Sequence, residues 1–235
     1  MEIIPIADKK KEKALSTSTN LNDLVRFSFM VVYTILLTTG TITFIEALRT
    51  DIPEVRHVMN LETCISIVAG YYYSIFITKT GGSTPIDWGE ITKLRYIDWS
   101  ITTPLMLVTL CIVLAKNAKK TITFRTMFSI LGLNYLMLAI GYYGVINPQI
   151  KLIAMIGGFI PFFVMFYIIY VNFYDHSVAN KVLFIVFSVV WSMYGLVYML
   201  QEQYKNISMN ILDLIAKCFI GLGLWVYYTK IITKY

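Results

Sequence analysis

The sequence predicts an all-α membrane protein, a bundle of seven transmembrane helices, and three observations predict it. Hydrophobic residues make up 57% of the 235-residue chain and charged residues only 14%. The mean hydropathy of +0.66 lies outside the range of soluble globular domains. Apolar runs recur near 22–46, 56–79, 91–114, 122–144, 150–173, 178–201 and 207–231, each about the 20 residues that a spanning helix needs.

The elements follow in order. Residues 1–20, "MEIIPIADKKKEKALSTSTN", are polar, carry four lysines and lack an apolar core of signal-peptide length, so they read as a tail, with 21–235 as the seven-helix domain. The connections "RTDIPEVRH", "KTGGSTPIDWGEITK", "KNAKK", "INPQ", "YDHSVANK" and "QEQYKNISMN" hold most of the turn residues and charges. They leave no room for a soluble domain. His57, His176 and Glu202 fall in these connections. Seven spans put the termini on opposite faces, where the lysine-rich tail competes with Lys116, Lys119, Lys120 and Arg125 for the inner side, so charge counting leaves orientation open. The net charge of +6 is dispersed over loops that touch anionic lipid and does not suggest nucleic acid. Cys64, Cys111 and Cys218 lie inside spans with neither metal nor disulfide spacing, and read as small core residues.

Ionisable groups inside the membrane are the informative residues. The seventh span places Asp213 and Lys217 at i and i+4, on one face. Either they form a structural ion pair, or the amine is desolvated so that it can be nucleophilic, as a Schiff base with an aldehyde requires. A protonated imine in a low-dielectric core needs a fixed negative partner. The third span, "RYIDWSITTPLMLVTL", offers Asp98, with Arg95 one turn before it to stabilise both carboxylates as anions. Thr102, at i+4, can donate to Asp98, and Thr109 continues the stripe over about 16 Å at 1.5 Å per residue, a candidate proton path. The plainer alternative is an Arg–Asp pair at the membrane edge with threonines bonding back to the helix.

"RYIDWSITTPL" and "LDLIAK", complete and in order on the third and seventh spans, resemble the signatures of microbial (type 1) rhodopsins. The resemblance covers essentially all of the chain after the tail. It implies all-trans retinal in the core of the bundle on Lys217, Asp98 as primary counter-ion and proton acceptor, and Asp213 and Arg95 completing the cluster. Trp191, Tyr194 and Tyr198 match the aromatic residues of the family's pocket on the sixth span, with Gly195 in place of the usual proline. Trp99 and Thr103 match on the third, and Asn134, Met137 and Gly141 on the fourth, Asn134 standing where many relatives have an aspartate bonded to the threonine. Met106 occupies a colour-tuning position whose apolar occupants go with green absorption. Pro161 and Phe162 replace polar residues at the ring end, which should lessen the red shift. Without Lys217, so many aromatics would read as core packing or interface belts.

The departures bear on activity. Asp98 with Thr102 is similar to proton pumps and unlike chloride and sodium pumps. Thr109 stands where outward pumps commonly carry an acidic donor. Glu62, in "NLETCISIVAGYYYSIFI" on the second span, is the candidate replacement, since a carboxyl among apolar neighbours holds its proton until the acceptor calls for it. It could face Thr109, or be only an interfacial helix charge. Giant-virus-encoded rhodopsins look similar in carrying this glutamate without a third-span donor. Tyr71, Tyr72 and Tyr73 occupy the region where many marine pumps hold a histidine, and Glu202 is a weak candidate for proton release. The "NIS" glycosylation pattern at 206–208 lies at a helix mouth, where use is not expected.

The resemblance thus implies a light-driven outward proton pump in a lipid bilayer, N-terminus extracellular and C-terminus cytoplasmic, forming a homo-oligomer of five or three, and not an enzyme. A light-gated cation channel would use the same pocket, with Glu62, Asn134 and Asn210 lining a hydrated pore. A sensory photoreceptor would fit the missing donor, although "TKIITKY" holds no signalling domain. A repeat-built transporter is the alternative outside the family, but no internal repeat is seen.

Overall fold

A computed structural model describes residues 6–82, 85–175 and 177–231, with the side chains of 20–82, 85–175 and 177–229. Among the described residues, seven helices are long and apolar enough to cross a membrane. They are α1 (Ile6–Arg49), α2 (Pro53–Thr80), α3 (Trp88–Asn117), α4 (Phe124–Ile146), α5 (Lys151–Phe173), α6 (Val178–Val197) and a seventh made of α7 (Glu202–Asp213), a π-helical turn (Leu214–Phe219) and α8 (Ile220–Ile231). The helix of α1 begins at Ile6, within the stretch read as a tail, and its apolar part begins at Asn20.

Local chemistry sets the boundaries. Pro53 opens α2, where its missing N–H costs nothing. Asp87, Thr123 and Ser177 cap α3, α4 and α6 by accepting from the backbone N–H groups of Glu90, Thr126 and Asn180. α1 keeps Thr34, Thr38, Thr41 and Thr43 inside the apolar phase because each hydroxyl donates to the carbonyl four residues back. Two of the predicted connections are shorter than read: His57 lies on α2 and Glu202 opens α7, because polar first turns resemble loops in sequence. His176 lies outside the described residues.

Burial identifies the centre of the bundle. In their most apolar windows α3 is 61% buried and the seventh span 56%, against 17% for α4 and 22% for α6. The spans that carry the ionisable residues are therefore the innermost, while Phe128, Ile153, Phe163 and Tyr167 face outward as lipid-facing surface. Cys111 and Cys218 are buried as expected, but Cys64 is exposed. α2 buries its polar stripe of Glu62, Thr63 and Ser66 instead, which turns Cys64 outward.

Polar bonds close the bundle where apolar packing cannot select a partner. Asn117 donates to Asn180 at 2.8 Å, Asn180 donates to the Leu114 carbonyl at 3.0 Å, and Tyr227 donates to Asn117 at 3.2 Å, tying α3, α6 and α8 together.

Candidate functional site

The seventh span changes to π geometry over the turn that contains Lys217, a rare feature that concentrates at functional sites. Its amine is buried and meets two carboxylates that are buried too. Lys217 Nζ lies 2.7 Å from Asp98 Oδ2 and 3.6 Å from Asp213 Oδ2. Three charges this far from water persist only because they satisfy one another and every other lone pair nearby. Thr102 supplies part of that, donating to Asp98 Oδ1 at 3.3 Å and to its carbonyl at 2.9 Å.

Asp213 is held from three helices. Tyr194 donates to Oδ1 at 2.6 Å, Tyr73 donates to Oδ2 at 2.7 Å, and Arg95 Nη1 reaches Oδ2 at 3.3 Å. Arg95 stands close enough to act electrostatically on both carboxylates, but it touches them unequally. Among the described residues its direct ion pair is with Asp213, and its second amino group turns to the amides of Asn210 at 2.8 Å and Asn206 at 3.2 Å. Asp98 is left to Lys217 and Thr102. The guanidinium also lies over the rings of Phe29, Tyr73 and Phe76, 5.1 to 5.7 Å from their centroids, which offsets its desolvation. Asn210 in turn donates to Ser28 at 2.7 Å.

From Lys217 a cavity extends away from the charges. Trp99, Met106, Phe162 and Trp191 line it with Thr103, Met137, Gly141, Tyr194, Gly195 and Tyr198. Asp213 and Lys217 are its ionised lining residues, and most of the remaining wall of this slot is aromatic or aliphatic. Phe159 fills the space left by Gly195, where an added Cβ would come within 2.5 Å of its ring.

Residues 24–231 match the family model of the bacteriorhodopsin-like proteins. The chain belongs to the bacteriorhodopsin-like family. A viral rhodopsin, OLPVRII, is 42% identical to it and superposes with a TM-score of 0.83 over 88% of this chain and 99% of that one. It is thus a microbial rhodopsin of the viral subgroup. The proton pumping rhodopsin AR2 from the marine alga Acetabularia acetabulum (22% identity, TM-score 0.74, 89% of this chain and 96% of that one) shares the fold. So does the blue light-absorbing proteorhodopsin from Med12 (22%, 0.71, 88% and 98%). Among curated proteins, none matches.

Membership in this family implies a retinal chromophore. The slot suits one: an apolar channel with a buried amine at its end is the environment that an extended hydrocarbon aldehyde requires.

The rhodopsin brings together most of the residues singled out in its sequence. Asn134 lies behind the slot and donates to Thr103 at 2.9 Å, the bond expected of the residue in that place. Pro161 is buried inside α5 and leaves the wall to Phe162. Thr109 is fully buried, its hydroxyl without a partner among the described residues. Glu62 is buried but sits away from the cluster, its Oε2 only 2.8 Å from where a Cβ of Gly221 would stand, one helical turn beyond Lys217. Glu202 pairs with Lys205 at 2.7 Å. Asn206 is buried against Arg95, so the glycosylation pattern is inaccessible.

Sequence reading missed the roles of Tyr73 and Asn206, and placed Asn210 only as a pore residue. The signal was available: Asn206, Asn210 and Asp213 at i, i+4 and i+7 put three polar groups on one face of an apolar helix. Asn210→Leu is expected to strip Arg95 of its shortest bond and Ser28 of the donor its hydroxyl oxygen accepts from, while Tyr73 keeps its bond to Asp213. The cost should be about 1–3 kcal/mol, measured as a fall in thermal stability, together with a shift of the absorption band as Arg95 moves relative to Asp213.

Proposed function

We propose that this rhodopsin is a light-driven outward proton pump, with its N-terminus extracellular and its C-terminus cytoplasmic. Bound to Lys217 as a Schiff base, all-trans retinal would supply light absorption, isomerisation and a protonated nitrogen in place of the free amine. The observation that carries the reading is the division of carboxyl groups about Lys217. Asp98 Oδ2 lies 2.7 Å from Nζ together with Asp213, which precedes Lys217 by a turn, whereas Glu62 sits beside Gly221, a turn beyond Lys217. A proton at Nζ thus has an acceptor on one side and a replacement source on the other, the minimum for vectorial transfer.

The chain's own residues then divide the work. Asp98 accepts at Oδ2, and Thr102 steadies the carboxylate. Asp213 stays anionic under Tyr73, Tyr194 and Arg95, so it balances charge without competing for the proton. Glu62 is buried and makes no ion pair or hydrogen bond among the described residues, so we assign it the replacement proton. Asn210 is committed to Arg95 and Ser28, and the amide nitrogen of Asn134 to Thr103, so two of the amides that a pore would use are engaged, which favours a pump over a channel. Since no substrate bond is made or broken, we class the activity as transport and not enzymic catalysis.

Voltage-clamped photocurrent in retinal-supplied cells tests this. Outward current at zero driving force, without reversal as potential, external sodium and pH are varied, is the expected result. Current that reverses with the ion gradient would mean a channel and overturn the proposal. Glu62→Gln is expected to keep the colour and slow recovery after a flash on the order of 100-fold, read as the decay of the light-induced absorbance change.

A further inference from the structure

The pump reading leaves open how protons reach Glu62 from the cytoplasm, and the third-span route is largely apolar. Beyond Thr109, α3 continues with Leu110, Val113 and Leu114, all buried. The groove that approaches from the cytoplasmic end between α3, α6 and α8 is walled mostly by apolar side chains such as Val113, Val182, Val186 and Leu224, and its polar members Asn117 and Tyr227 are bonded to each other.

The seam between α1, α2 and α8 is of opposite character. Thr39 and Glu62 converge on Gly221, whose added Cβ would meet Thr39 Cγ2 at 3.3 Å and Glu62 Oε2 at 2.8 Å. Gly40 lets α1 close onto Ser66 in the same way, at 3.1 Å. The hydroxyls of Thr39 and Ser66 are buried with no oxygen or nitrogen partner among the described residues, Thr39 having only the weakly bonding Cys218 thiol beside it, and buried Glu62 makes no ion pair or hydrogen bond among them. Three such groups in one seam call for water or a transferable proton, because orphaned polar atoms are otherwise costly. One turn on from Thr39, Thr43 shares a 2.9 Å hydroxyl–hydroxyl bond with Thr63, the residue after Glu62. A further turn on, Glu46 accepts a 3.2 Å hydrogen bond from the Trp225 indole. Thr39, Thr43 and Glu46 follow at i, i+4 and i+7 on one face of α1, and Gly221 and Trp225 keep step at i and i+4, about 6 Å apart along α8.

We propose that this seam is the proton-uptake path, with Glu46 as the carboxylate at its cytoplasmic mouth, the Thr43–Thr63 hydroxyl pair as its link and Trp225 as the residue that positions Glu46. A hydroxyl donates and accepts at once, so the pair can pass a proton inward through bound water while keeping its own count unchanged. The proton lost by Glu62 is then replaced from Glu46, and Glu46 is reprotonated from the bulk. This rests on the pump reading and on Glu62 as its donor.

The test is flash-induced absorbance recovery of the retinal-loaded protein in vesicles, comparing Glu62→Gln, Glu46→Gln, Glu46→Asp and the Thr43→Val/Thr63→Val double variant, each with and without azide as a small diffusible acid. Glu46→Gln and the double variant should slow recovery about tenfold, with azide restoring both and Glu46→Asp near wild type. Slow recovery that neither azide nor the aspartate rescues would mean a packing role and overturn the path. Wild-type recovery in Glu46→Gln and the double variant, with Glu62→Gln slow, would refute the seam and leave the donor standing. Wild-type recovery in Glu62→Gln would remove the donor and the seam together. If Glu46→Gln fails to hold retinal, the double variant, which leaves the Glu46–Trp225 bond in place, decides.

Discussion

Lys217→Ala is expected to yield protein that inserts into the membrane yet stays colourless when retinal is supplied. Truncation removes the one amine that ends the slot, so the chromophore loses its covalent attachment. The slot's walls of Trp99, Trp191 and Phe162 persist, and retinal can only partition there reversibly. The substitution also strands the two carboxylates. Asp98 loses its 2.7 Å partner and Asp213 its contact at 3.6 Å, while Arg95 remains on Asp213. Asp98 is thus the group left uncompensated, and breaking a buried pair from one side costs about 3–5 kcal/mol unless the survivor takes up a proton. The measurement is the visible spectrum beside thermal unfolding of apoprotein. A variant that gains wild-type colour would sink the assignment of Lys217, whereas loss of both colour and folding would be resolved by Lys217→Met, which keeps the apolar stem.

How much of this was legible in the sequence depends on whether the information lies along one helix or between several. Asp213 and Lys217 announce themselves by i, i+4 spacing inside an apolar run, as does Asp98 by its position on the third span. The partner of Arg95 was not legible in this way. Along α3 the nearer acid in sequence is Asp98, yet the guanidinium goes to Asp213 because Asn206 and Asn210 hold its other amino group from the seventh span and Phe29 and Phe76 flank it from α1 and α2. No local pattern carries that choice. The exposure of Cys64 was readable but overlooked: in lipid the polar stripe faces inward, so Glu62, Thr63 and Ser66 fix the inner face of α2 and leave Cys64 outside it. The ends of α2 and α7 were misjudged for a simpler reason. Pro, Glu and Gln suit a first helical turn as well as a loop, and hydropathy cannot tell them apart.

Asp98→Asn separates light absorption from transport most sharply. The amide keeps the shape of the side chain and can still accept from Thr102, so the bundle and the slot should survive. What disappears is the only carboxylate among the described residues within direct hydrogen-bond distance of Lys217 Nζ. Asp213 remains at 3.6 Å, but its oxygens are already engaged by Tyr73, Tyr194 and Arg95, and a proton placed on it would break that set. It can still balance charge, so the pigment should form, with its band moved to longer wavelength because the positive charge near Lys217 is less tightly pinned. It cannot take over as acceptor, so steady photocurrent should fall by about 100-fold or more. Asp213→Asn is the complementary case. There Asp98 keeps its place on Nζ, but Arg95 is left without its carboxylate, so loss of stability should dominate over loss of transfer. Equal transport defects with equal stability in the two variants would contradict the division of labour between acceptor and fixed counter-charge.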